Sequence, residues 1–466
     1  MEKEMEVLSN QNLEEKEADF HAIRIVEGES NWSTLMEKKR KQKPRLLRKS
    51  AGNISCCIFR VPQSLVEINE KAYQPHIVSI GPYHHGKDHL KMIQEHKWRL
   101  LDTLIARTEN QGVCLDDYFK AIASKEESIR ECYSEAIDLN SNEFVEMMVL
   151  DGCFIVEILC IVGKIVQNDP KDPIFNMLWV FPFLMRDLLR LENQIPFFVL
   201  QTLFDMYMTS LDKEGPSLAQ LALDSFDYVI ERPTEVLQRY YNIKAVHLLD
   251  LFRLTFMPQS KGSNEKKYLH DGTKDSVSTT IPSAQRLHVA GIKFKPRKSD
   301  SISLLDIKFD NGVLEIPPLA IDDSISSFFL NCVAFEQCYS DCSKHITSYT
   351  TFMSCLIRKP SDVGVLSDQN VIENDFGTDK EVVRFFSNIS KDVPFDFQQS
   401  YLFKLFEDLN EHCRNKWHVR WADFKYTYFN TPWSFISALA ATFLLVLTMI
   451  QAFFAIYAYV LPPPPH

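Results

Sequence analysis

The chain has 466 residues, 45% hydrophobic and 12% aromatic, enough to enclose two or more cores. Its formal net charge of −11, from 62 Asp and Glu against 51 Lys and Arg, argues against a broad nucleic-acid-binding face. Eleven cysteines, an odd number without paired CxxC spacing, argue against a disulfide framework and read as free, mostly buried thiols.

Residues 1–50 are charged and poor in aromatics, so they read as a disordered leader, and they lack the apolar core of a secretory signal. The run KKRKQKPRLLRK at 38–49 departs from the acidic balance. A solvated leader is its plain reading; contact with anionic lipid or a nuclear-import signal are the alternatives. The body opens with ISCCIFRVP (54–62) and PHIVSIGPYHHG (75–86), short apolar runs ended by Pro and Gly and predicted to be extended or turn-like.

From Asp88 the pattern becomes helical. Leu90, Ile93, Leu101, Leu104 and Ile105 recur with a period near 3.6, predicting an amphipathic helix to about Arg107, and a second follows from Asp116 to Ile137. Residues 144–166 are apolar nearly all round yet carry Asp151, Glu157 and Lys164. In lipid, an Asp or Lys near the helix centre costs roughly 2.5–3.5 kcal/mol, so this segment is predicted to be the central helix of a soluble core. The same holds for 175–208, where Arg186, Asp187, Arg190 and Glu192 interrupt the hydrophobic run and Pro182 and Pro196 divide it. Those charges argue against a pore built from several spans.

The polar, Ser/Thr/Gly-containing stretch 259–280 reads as an insert where two halves of the body meet. After it, LLDIKFDNGVLEIP alternates Leu305, Ile307 and Phe309 with Asp306 and Lys308, then turns through Asp310, Asn311 and Gly312 to Leu314 and Ile316, predicting a β-hairpin. Helices are predicted from about Ser324 to Ile357, from Asp379 to Ile389, and from Phe397 onward. Cys332, Cys338, Cys342 and His345 are expected within one helix. Four ligands on a single helix close a tetrahedron poorly, so no metal and no cofactor is assigned.

From Trp433 to Leu461 there is no charged side chain. At about 1.5 Å of rise per residue the segment is long enough for a hydrocarbon layer of about 30 Å. A single transmembrane helix is predicted over 432–461, with a short tail at 462–466. Trp433, Leu445, Phe453 and Tyr459 are its expected membrane-anchor residues, and Tyr426, Tyr428, Trp433, Tyr457 and Tyr459 resemble interfacial aromatic belts. Arg414, Lys416, Arg420 and Lys425 precede the span, and the positive-inside bias puts residues 51–431 in the cytoplasm, anchored at the plasma membrane or an endomembrane. Sequons at Asn31, Asn53 and Asn388 point the other way.

The blocks CCIFRVPQSLVEINEKAYQPHIVSIGPYHHGKDHLKMIQEHKWRLL (56–101), MMVLDGCFIVEIL (147–159), LLRLENQIPFFVLQTLF (188–204), IPSAQRLHVAGIKFK (281–295) and LLDIKFDNGVLEIPPLAIDD (304–323) resemble a plant family of domain of unknown function 247, the UPF0481-type membrane proteins. The resemblance runs from about residue 54 to 461 and implies a plant membrane protein. It supplies no enzymatic reaction. Some grass members of that family are linked to pollen-side determination in self-incompatibility, which implies recognition at a membrane.

The best constellation for chemistry is GPYHHG, with His84 and His85 on a turn and His89 and His96 on the following helix. Asp151 and Glu192, set in apolar surroundings where desolvation raises a carboxylate, would complete a metal-assisted hydrolase. No HExxH, GxSxG, P-loop or GxGxxG accompanies them. The competing reading is structural: His84 and His85 complete a turn, Asp151 and Glu192 are satisfied by Arg or by backbone N–H groups, and LENQIPF caps neighbouring helices. The expectation is therefore a mainly α, multi-helix globular body with a small β-hairpin and a single C-terminal transmembrane helix. Its role is read as non-enzymatic recognition or signalling, with the lipid bilayer and a protein as partners and no nucleic acid.

Overall fold

The computed structural model describes residues 32–211, 215–258, 280–297, 303–414 and 432–460. The fold is mainly α with small sheets, as the periodicity predicted. Residues 1–31 of the expected leader lie outside the described residues. Trp32–Lys41, within that leader, forms helix α1, with Trp32, Leu35 and Met36 exposed.

The N-terminal half is built around one helix. α2 (Lys91–Glu109), α3 (Leu115–Ala123) and α4 (Ser141–Val162) follow in order. α4 begins in a capping box: the Asn140 side chain accepts from the Glu143 N–H, and Glu143 accepts from the Asn140 N–H. Being apolar nearly all round, α4 is enclosed by α2, α3, α6 (Phe197–Ser210) and α7 (Leu218–Phe226), the last two following the short α5 (Val180–Asp187). Gly152 sits where α4 meets α6: a Cβ there would lie 2.3 Å from Leu203 Cδ1, so any side chain would displace Leu203. Pro182 falls in the first turn of α5, where the missing N–H costs no helical bond, and Pro196 sits just before α6.

α8 (Leu248–Leu254) leads to the second half. The predicted hairpin is present: β2 (Lys308–Asp310) pairs antiparallel with β3 (Val313–Ile316). Its turn residues Asn311 and Gly312 have φ of 48° and 75°, the left-handed pair that a two-residue hairpin turn requires. β1 (Lys293–Pro296) adds to β3 in parallel, so the hairpin belongs to a three-stranded sheet. A second pair joins β4 (Leu319–Ile321) to β5 (Ile372–Asn374), also in parallel.

The helices here are α9 (Asp323–Cys338), α10 (His345–Leu356), α11 (Pro360–Asp368), α12 (Asp379–Ile389) and α13 (Phe403–Arg414). Cys338 ends α9, Cys342 lies in the following loop and His345 begins α10, so the four residues expected on one helix are spread over two helices and the loop between them. Buried residues from Cys56 to Leu409 form one continuous core across both halves. At its centre Phe252, Phe256 and Phe328 pack with ring centroids 4.9–5.4 Å apart. The insert expected at 259–280 lies outside the described residues except for Thr280.

α14 (Pro432–Val460) is the one helix among the described residues that is long and apolar enough to cross a bilayer. Its segment Leu439–Ile456 has a mean hydropathy of 2.3 and none of it is buried in the protein. Leu445 and Phe453 are exposed. The side chains of Trp433 and Tyr459, and residues 415–431 with their basic and aromatic side chains, lie outside the described residues.

Candidate functional site

Within the run 75–86, residues 75–80 form no helix or strand and residues 83–86 form a turn, in keeping with its Pro and Gly punctuation, and the run joins no sheet. A buried backbone without a ladder still has to find partners for its N–H and C=O groups. Here side chains supply them. Asp187, at the end of α5 and fully buried, accepts from the N–H groups of His76, Ile77 and Val78 at 2.8–3.1 Å. Asn193 accepts from the Ile80 N–H at 2.7 Å and donates to Val78 O and Asp187 O. Asp151, on α4, accepts from the Gly81 N–H at 2.8 Å. Gly81 is required on two counts: its φ is +72°, and a Cβ would lie 2.6 Å from Gln194 O.

Two cations balance this network. Lys97 on α2 is 1% exposed; its Nζ is 2.5 Å from Asp151 Oδ1 and also donates to Ser79 O. Arg190 donates to Asp187 Oδ1 at 3.0 Å and to Lys71 O at 2.8 Å, tying the segment to the chain before it.

The third part of the network lies beside the GPYHHG turn. Glu192 accepts from the Val61 N–H at 2.8 Å and from Arg60 Nη1 at 2.9 Å, and His84 Nε2 lies 3.2 Å away. Arg60 also bonds Glu135 and Tyr83 O, and its cation sits 4.3 Å from the Tyr83 ring centroid. Burial would raise Glu192, but the adjacent His84 imidazole, the Val61 N–H hydrogen bond and the Arg60 charge outweigh it and hold the carboxyl below its ordinary value. Burial pushes His84 down despite the nearby Glu192, so its imidazole is neutral at pH 7. An ionised Glu192 tied to a guanidinium is a hydrogen-bond acceptor and makes a poor proton donor at neutral pH.

Of the four residues singled out from the sequence, the structure therefore brings His84 and Glu192 together. Asp151 is held by the same backbone segment but in its own pair with Lys97. His85 is exposed at the surface. Gln194 completes LENQIPF as a cap: its Nε2 donates to Leu188 O and Arg190 O, and its Oε1 accepts from the Leu249 N–H at 3.2 Å. Lys97, Asp187 and Arg60 were not singled out, although Lys97 carried a signal: it occupies the same stripe as Ile93, Leu100 and Leu104, all buried.

Elsewhere, Glu157 of α4 is bonded by Arg107 and by Tyr207 at 3.1 Å. Glu336 accepts from the Thr347 N–H at 2.8 Å, from its hydroxyl at 2.7 Å and from Arg253 at 3.3 Å. Among the described residues, no group of three or more His, Cys, Asp or Glu is arranged to hold a metal ion. A cleft of about 700 Å3 lies between the 229–235 turn and β4, and none of His84, His85, Asp151 or Glu192 lines it.

A family model described as a plant protein of unknown function, DUF247, matches residues 58–447. A UPF0481 protein of Arabidopsis thaliana is 43% identical over 432 residues, spanning 90% of this chain and 90% of the relative. Another UPF0481 protein of the same plant is 23% identical over 489 residues, spanning 87% of this chain and 91% of the relative. No solved structure matches the chain.

Proposed function

The chain belongs to the DUF247 family of plant proteins of unknown function, and from that premise we propose that it is a non-enzymatic recognition or signalling protein tethered to a membrane by α14. One observation carries the reading: Leu439–Ile456 has a mean hydropathy of 2.3 and is 0% buried in the protein. An apolar surface of that size in water is opposed by the hydrophobic effect, and a bilayer removes it.

The arrangement of charge supports the second half of the reading. Asp151 and Glu192 are occupied with accepting from buried backbone N–H groups, and the cleft of about 700 Å3 lies elsewhere. The basic residues Arg414, Lys416, Arg420 and Lys425 before α14 favour a cytoplasmic body under the positive-inside bias. The partner is then a cytoplasmic protein met at the bilayer surface.

Alkaline extraction of membranes from plant cells making the full-length chain tests the tether, and proximity labelling with and without residues 432–460 tests the partner. Retention in the membrane pellet, with a reproducible set of labelled neighbours lost on truncation, is the expected result. Full-length chain left in the detergent-free supernatant would overturn the tether. Labelled neighbours that differ from one repeat to the next would overturn the recognition role.

A further inference from the structure

Arg232 is a buried cation with no counter-ion among the described residues. It is 8% exposed, and no carboxylate lies within ion-pair distance of its guanidinium among the described residues. Of the five N–H donors of an arginine side chain, one reaches an acceptor among the described residues: Nη2 donates to Thr255 O at 2.9 Å. Nε is enclosed without a partner among the described residues. The neighbouring carboxylate, Asp227, accepts from the backbone N–H of Arg232 at 2.6 Å. The guanidinium rests 4.1 Å from the Phe256 ring centroid, a contact that orients it without neutralising it. Burial lowers its pKa to about 10.

An unpaired charge in such a place is costly, and in this protein the other deeply buried cations Lys97, Arg190 and Arg253 each have a carboxylate. Arg232 differs also in its position, for it lines the cleft between the 229–235 turn and β4. At about 700 Å3 that cleft is within the range of small-molecule sites. Phe256, Leu304 and Ile325 give it an apolar wall, while Glu231, Glu235, Asp322 and Asp375 also line it. Asp322 is committed to the Ile325 N–H at 2.8 Å as the cap of α9. Four carboxylates beside a single cation repel a polyanion such as a phosphate chain, but leave the guanidinium to one monovalent group.

We propose that this cleft binds a small organic carboxylate with an apolar body, its anionic group received by Arg232 and its body by the Phe256, Leu304 and Ile325 wall. The inference is independent of where α14 resides.

Calorimetric titration of the full-length chain in lipid nanodiscs provides the test, with phenylacetate, 3-phenylpropanoate and octanoate as probes and 3-phenylpropanol and inorganic phosphate as controls. At least one carboxylate is expected to saturate a single site, with the alcohol and phosphate at least about tenfold weaker. Arg232→Met is expected to erase the preference for the acid over the alcohol. Because that change removes an uncompensated charge, the thermal midpoint holds or rises. Ala320→Trp, at an exposed position of β4 lining the cleft, is expected to block all the probes and gives an independent reading if Arg232→Met does not fold. The proposal is overturned if none of the three carboxylates saturates, if phosphate binds as tightly as they do, or if either folded variant binds like the natural chain.

Discussion

Lys97 and Asp151 meet inside the protein, Nζ to Oδ1 at 2.5 Å, each 1% exposed. The pair joins α2 to α4, and the backbone of 79–81 is bound to both members: Ser79 O accepts a hydrogen bond from Lys97, and the Gly81 N–H donates one to Asp151. The segment is thus fixed by side-chain charge where a β-ladder would otherwise serve. Removing one member leaves the other buried and unpaired, and orphans a backbone group besides.

Lys97→Met is therefore expected to destabilise the fold by about 3–5 kcal/mol, the range for breaking a buried pair. The double variant Lys97→Met, Asp151→Leu should lose less than the sum of the singles, because no lone charge remains in it. Urea unfolding followed by fluorescence measures both. A single-variant loss below about 1 kcal/mol would show that the segment is held by something else.

The α4–α6 contact gives a steric test. Gly152→Ala puts a methyl group 2.3 Å from Leu203 Cδ1, and is expected to cost about 1–3 kcal/mol by overpacking. Leu203→Ala alone opens a cavity and costs about 2–5 kcal/mol. Together the two changes exchange volume across one interface, so the combined loss should fall short of the sum. Strict additivity in a thermal-unfolding cycle would place the two residues out of contact.

Acid sensitivity follows from His247. Burial pushes it down to about 4, and it is held neutral: Nδ1 accepts from the Asp250 N–H at 3.1 Å and Nε2 lies 3.2 Å from Cys57 O. The unfolded chain titrates near 6.5, so between pH 6.5 and about 4 it binds a proton that the folded state does not. Stability falls on acidification across that window by up to about 1.4 kcal/mol per pH unit from this residue. Glu157 and Glu336, raised by burial, act with the opposite sign, so the measurement is the difference between the natural chain and His247→Asn, which retains a capping acceptor. The variant should take up about one proton fewer on unfolding at pH 5. Parallel stability curves for the two proteins would refute the assignment.

What the sequence disclosed and what it withheld divide along sequence separation. α12 appears at Asp379–Ile389, the bounds read from the sequence, because its Thr378–Glu381 capping box and its apolar stripe are local. The β2–β3 hairpin was legible through Asn311 and Gly312, whereas β1 was not: its partner Val313 lies far along the chain from Lys293, and KFKP is too short to show a period of two. The site divides in the same way. His84, Asp151 and Glu192 attracted attention as polar residues in apolar surroundings, but their partners come from distant segments: Glu192 meets Arg60 across 132 residues and Asp151 meets Lys97 across 54. Lys97 itself was not singled out, although its phase matches the buried stripe.

That contrast sets up the last expectation, which concerns α14. The charged helices α2 and α4 bury Lys97 and Asp151 because each finds the other, but Leu439–Ile456 has no protein around it to supply a partner. A charge placed there is solvated either by water, if the helix is outside lipid, or at a cost of about 2.5–3.5 kcal/mol near the bilayer centre. Leu445→Arg combined with Phe453→Arg therefore separates the alternatives. In a membrane-spanning helix the double change should move a large fraction of the chain from the alkali-resistant pellet into the extractable fraction, while Leu445→Ile with Phe453→Leu leaves it in the pellet. If the double-arginine chain stays as firmly in the pellet as the natural one, α14 is not what holds the protein there. The helical body or the basic segment around α1 would then be the part in contact with lipid.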